Sequence, residues 1–70
     1  MTNNSIKHIS KKIRDARVEL RLTQKELADK SGLSMNYISR IERADVSPTL
    51  ETLEKLIKAL KIKSSDILSF

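Results

Sequence analysis

Ser34, Met35, Asn36, Ser39, Arg40 and Arg43 fall within ten positions in the middle of the chain, and none of them is an acid. On a helix that starts after Ser34 they share the outer side, while Tyr37, Ile38 and Ile41 turn inward at helical spacing. These residue types suit the edges of stacked base pairs. An Asn amide pairs bidentately with adenine, an Arg fork pairs with guanine, and a Met thioether packs on a thymine methyl. A merely solvated helix mixes signs, as Glu51, Glu54, Lys55 and Lys58 do further along. Glu42 is the one acid in the segment, and its spacing directs it towards the first helix. Taken singly, each residue reads as an ordinary surface side chain. As a set they read as a base-reading surface, with Ser34, Met35, Asn36, Ser39 and Arg40 as its readers.

A second group suits the sugar–phosphate backbone. Thr23 is followed three residues later by Glu26, the spacing of a capping box that opens a helix. The unpaired amides and positive dipole end there attract an anion. Thr23 and Gln24 lie at that end and can hold a phosphate, with Lys25 adding charge. On the far side, Arg43, Ser47 and the loop amides before Thr49 can hold another. Such contacts set register and carry no sequence information.

Composition narrows the field. The 70-residue chain has room for one small domain, and 14 Lys and Arg against 9 Asp and Glu leave it at +5. Its sequence pI is about 9.8, the footprint of a nucleic-acid partner. Tyr37 and Phe70 are its only aromatic residues, which favours duplex DNA over single strands, where bases stack on rings. Without cysteine, and with His8 alone and off the apolar stripe, no metal site is expected. No nucleophile–base pair or glycine-rich phosphate loop suggests an enzyme, and no cofactor or small-molecule ligand is implied. The polar start, Met1 to Ser5, lacks a signal-peptide core, and no apolar run nears the roughly 18 residues of a membrane span, so a cytoplasmic protein is expected.

Helical periodicity runs through almost the whole chain and predicts an all-α fold of five helices. The first covers Ser5 to Arg21, with Ile6, Ile9, Ile13, Ala16, Arg17 and Leu20 on one stripe. An arginine on an apolar stripe calls for a partner, and Glu42 is placed to form a partly buried ion pair with Arg17. The second helix runs from Thr23 to about Ser31, with Leu27 and Ala28 inward. Gly32, the only glycine, ends it in a left-handed turn. Ser34 caps the third helix, about Met35 to Arg43. Pro48 interrupts the chain, and Thr49 caps a fourth helix striped by Leu50, Leu53, Leu56, Ile57 and Leu60. A short fifth helix is expected over about 65–69. Two short helices around a glycine turn (residues 24–43) have the geometry of a helix-turn-helix, whose second helix enters the major groove.

The run Leu22-Thr23-Gln24-Lys25-Glu26-Leu27-Ala28, then Ser31-Gly32-Leu33-Ser34, then Tyr37-Ile38-Ser39-Arg40-Ile41-Glu42-Arg43, resembles the Xre/Cro-type helix-turn-helix proteins. Pro48-Thr49-Leu50-Glu51-Thr52-Leu53 and Lys58-Ala59-Leu60 continue the likeness. That family includes lambdoid phage repressors, Cro and restriction–modification controller proteins. The resemblance implies a lambda-repressor-like domain of five helices and a non-enzymatic DNA-binding role. It implies Gln24 on a phosphate, the ion pair between Arg17 and Glu42, and base-reading positions at Ser34, Met35, Asn36, Ser39 and Arg40. The family often has glycine or asparagine-glycine after the third helix, where this chain has Arg43-Ala44-Asp45. A left-handed alanine costs about 1 kcal/mol, so a differently shaped loop is expected there.

One helix-turn-helix spans too few base pairs for useful specificity. Two copies about 34 Å apart would read a palindromic operator, so a homodimeric transcriptional regulator is the leading reading. Ile62, Ile67, Leu68 and Phe70 are the candidate dimer contacts. The alternative is a protein-interaction module, an antitoxin or adaptor on the same fold, which would call for an exposed apolar groove on the third helix.

Overall fold

Hydroxyl side chains mark where three of the helices begin. In the computed structural model, which describes residues 2–62 with side chains from Ile6 onward, the Thr23 Oγ1 accepts from the Glu26 amide at 3.0 Å. The Glu26 carboxylate accepts from the Thr23 amide at 2.8 Å, completing the capping box. Ser34 Oγ accepts from the Tyr37 amide at 3.1 Å, and Thr49 Oγ1 from the Thr52 amide at 3.2 Å. Each cap stabilises its helix by about 1 kcal/mol. The helices are α1 (Thr2–Glu19), α2 (Gln24–Ser31), α3 (Met35–Glu42) and α4 (Leu50–Leu60), with no strand among the described residues. The expected fifth helix, with Ile67, Leu68 and Phe70, lies outside the described residues.

The helix ends are less legible. All four helices stop at a left-handed residue: Arg21 (φ 58), Gly32 (φ 75), Ala44 (φ 60) and Lys61 (φ 55). After α3 the Asp45 amide donates to the Arg40 carbonyl at 2.9 Å and the Ala44 amide to the Ile41 carbonyl at 3.0 Å. This is the paired pattern of a Schellman stop. Ala44 therefore takes the turn that glycine would favour, and the expectation of a differently shaped loop is corrected. The two backbone bonds offset the left-handed cost, and Val46 packs against the core just beyond. The same paired pattern closes α1 and α4, where Leu22 and Ile62 follow the left-handed residue and are half-buried.

The core is Ile13 from α1, Leu27 and Ala28 from α2, Ile38 and Ile41 from α3, and Leu53, Leu56 and Leu60 from α4. Six of these side chains are fully buried, each worth about 1.5–3 kcal/mol on leaving water. α2 packs on both α3 and α4, and α1 closes against the same pair.

Two apolar stripe residues are exposed. Leu20 follows the last residue of α1 and is exposed, because the chain turns away at Arg21. Leu50 is 69% exposed. At roughly 100° per residue it lies about a quarter turn from the line of Leu53, Leu56 and Leu60. The half-buried Ile57 sits at the edge of that line.

Candidate nucleic-acid interface

α3 is held from behind and bare in front. Ile38 and Ile41 are fully buried, and Tyr37 packs against the core edge. Ser34, Met35, Asn36 and Arg40 are exposed, and Ser39 is half-buried. Among the described residues, no side-chain hydrogen bond or ion pair engages Met35, Asn36 or Arg40. Their amide, thioether and guanidinium groups are available to a partner, and among the described residues no carboxylate pairs with Arg40.

The end of α3 is fixed by a junction of three elements. Arg17 Nε donates to Glu42 Oε2 at 2.7 Å, and Nη2 donates to Glu42 Oε1 at 3.0 Å. A third donor, Arg17 Nη1, reaches the Leu22 carbonyl at 2.8 Å. Gln24 Nε2 also donates to Glu42 Oε1, at 3.2 Å. The Glu42 side chain is 4% exposed and that of Arg17 15%, so the fork is almost withdrawn from water. Such a geometry satisfies both charges and locks α1, the start of α2 and the end of α3 into one arrangement.

The phosphate candidates are spread along both sides. Thr23 and Gln24 open α2, and the cap uses the Thr23 and Glu26 amides. The amides of Gln24 and Lys25 remain as outward donors of the first turn. The Gln24 side chain is partly committed to Glu42, an engagement that sequence reasoning missed. Lys25 makes a loose exposed pair with Asp29 at 3.4 Å. Across α3, Ser47 is exposed in the loop before α4. Arg43 is not a free cation: its Nε donates to Asp45 at 2.9 Å and its Nη1 to Ser39 Oγ at 2.8 Å. The i, i+4 spacing of Ser39 and Arg43 carried that signal. Asp45 brings an acid to the edge of a face that is otherwise free of them. Of the dimer candidates only Ile62 is described, and it is half-buried against the core.

Among the described residues no helix is long and apolar enough to cross a membrane, and no group of acids and histidine is placed to hold a metal.

Comparison with known proteins places this geometry in context. Residues 13–67 match the family model described as Helix-turn-helix (HTH_3). Control protein C.BamHI of Bacillus amyloliquefaciens is 37% identical across the whole chain, which covers 88% of that protein. The immunity repressor protein of Bacillus phage phi105 is 42% identical over 59 residues, 84% of this chain and 41% of the repressor. The cryptic phage CTXphi transcriptional repressor RstR of Vibrio cholerae is 42% identical over 60 residues, 86% of this chain and 54% of RstR. The chain thus spans about half the length of these two repressors. The wild-type restriction–modification controller protein C.Esp1396I superposes with a TM-score of 0.86 at 34% identity, over 93% of this chain and 84% of that one. The same protein is known as a tetramer in complex with its natural 35 base-pair operator. The chain belongs to the Xre-type helix-turn-helix family, together with phage immunity repressors and restriction–modification controller proteins.

Proposed function

We propose that this chain is a sequence-specific double-stranded DNA-binding transcriptional regulator that acts as a homodimer on a palindromic operator. The observation that carries the reading is the outer side of α3, where Met35, Asn36 and Arg40 stand exposed on a helix whose other side is buried. In this reading Ser34, Met35, Asn36, Ser39 and Arg40 meet base edges in the major groove. Thr23, Gln24 and Lys25 hold one phosphate through the first turn of α2, and Arg43 and Ser47 hold another across the groove. Arg43 then serves two ends, since its bonds to Ser39 and Asp45 also orient the Ser39 hydroxyl.

The homodimer would use Ile62 and a short fifth helix over residues 65–69, with Ile67, Leu68 and Phe70 as its contacts. A DNA partner fits a charge of +5 and the operator complex of C.Esp1396I. The cytoplasm is the compartment in which such a protein meets DNA. Selection of bound duplexes from a random pool tests the whole reading. Enrichment of one motif with two-fold symmetry is expected. A pool that stays random at moderate salt would contradict it and favour the interaction-module reading.

A further inference from the structure

Two serines inside helices use their hydroxyls in opposite ways. Ser31, buried on α2, donates to the Leu27 carbonyl at 2.7 Å, so its proton is spent within its own helix. Ser39, half-buried on the outer side of α3, receives instead: Arg43 Nη1 donates to its Oγ at 2.8 Å. Among the described residues no acceptor takes the Ser39 proton. A hydroxyl ordinarily suits any base, since it can donate or accept. A guanidinium bonded to its oxygen curtails that freedom. The guanidinium occupies a lone pair, polarises the O–H bond and sets a positive charge behind it. The hydroxyl becomes a better donor and a poorer acceptor.

Asp45 works against affinity. It is an acid at the edge of a face that would meet phosphates, and it repels them. Its carboxylate accepts from Arg43 Nε at 2.9 Å. The guanidinium is planar and rigid, so a bond at Nε fixes where Nη1 points. Nη2 is left for a phosphate. Both side chains are exposed in the free chain, and a docked duplex strengthens their bonds by withdrawing water. In the major groove guanine presents two acceptors, N7 and O6, whereas cytosine presents an amino donor. Adenine presents one of each, and thymine sets its one acceptor beside a methyl.

We propose that Arg43, oriented by Asp45, makes Ser39 a one-way proton donor, so that this position of α3 selects guanine and rejects cytosine. Arg43 and Asp45 are positioning residues for specificity, a role that rests on the DNA-binding reading above.

The full chain and its variants are profiled against a selected duplex and every single-base-pair variant of it, at one salt concentration. Ser39→Ala locates the position by flattening the preference there. At that position the unaltered chain should prefer guanine and bind cytosine worst. A guanine analogue lacking N7 or O6 should weaken the unaltered chain and leave Ser39→Ala unaffected. Arg43→Gln, polar but uncharged, should reduce the guanine-over-cytosine ratio there about threefold or more, beside an even loss on all duplexes. Asp45→Ala should move two readouts in opposite directions. Every duplex binds about twofold tighter or more, while the ratio at that one position falls. In the Ser39→Ala background neither change should alter the shape of the profile. Even shifts in both variants with the ratio kept, as an arginine that only holds phosphate would give, would overturn the assignment. Cytosine preferred at the Ser39 position would overturn it too. A chain that prefers no duplex over another would instead sink the DNA-binding reading, and the role of Ser39 with it.

Discussion

The two sides of α3 differ in how far their polar groups are spoken for. Glu42, facing inward, takes three hydrogen bonds from Arg17 and Gln24 and is 4% exposed. Met35, Asn36 and Arg40, facing outward, have no polar partner among the described residues, and Met35 is 53% exposed. Eight residues thus combine an anchored side with an uncommitted one. The backbone is positioned by burial and by one ion pair, and the outward side chains keep their hydrogen-bonding capacity for something outside the protein. Base readout requires that division of labour, because a reader already paired within the protein would have to break that bond before it met a base.

The contrast can be broken from the inside first. Arg17→Ala leaves the Glu42 carboxylate buried without its cation and should cost about 3–5 kcal/mol of stability, read as a fall in urea midpoint. Arg14→Ala on the same helix, exposed and in no salt bridge among the described residues, should leave the midpoint almost unchanged. Equal midpoints for the two variants would remove the anchor from the argument. Breaking the outside should do the reverse. Asn36→Ala should keep the melting temperature and lose about 1–3 kcal/mol of discrimination at one base pair, measured by titrating single-site variants of the selected duplex. Ala44→Gly should stabilise by about 0.5–1 kcal/mol, since glycine accepts φ 60 freely and its greater freedom when unfolded offsets part of the gain. A calorimetric comparison decides it, and a lower melting temperature would show that the alanine methyl contributes to packing. Smallest of all, Lys25→Gln should weaken every duplex alike and reduce the salt slope by about 1, with no change in sequence preference.

Much of this was legible because it is local. Thr23 with Glu26, Ser34 and Thr49 announce helix starts through rules that span three residues, and Gly32 announces a stop through its missing side chain. An arginine on the apolar stripe of α1 likewise marks a charge that needs a partner, and the structure has Arg17 on Glu42. The left-handed stops at Arg21, Ala44 and Lys61 gave no such signal, because the turn is imposed by backbone pairing and by the residues packed beyond it. Leu20 and Leu50 show that a residue's place on a stripe does not bury it where a helix begins or has just ended. The Gln24 bond to Glu42 depends on how separate helices meet, which spacing within one helix does not reveal.

The most direct test is a binding profile of the protein and of Arg40→Ala against a selected duplex and every single-base-pair variant of it, at one salt concentration. With an exposed guanidinium reading a base, the arginine's removal flattens the profile at one position in each half-site and leaves the others in place. A profile lowered evenly at all positions, or not changed at all, would mean that the outer side of α3 does not read sequence.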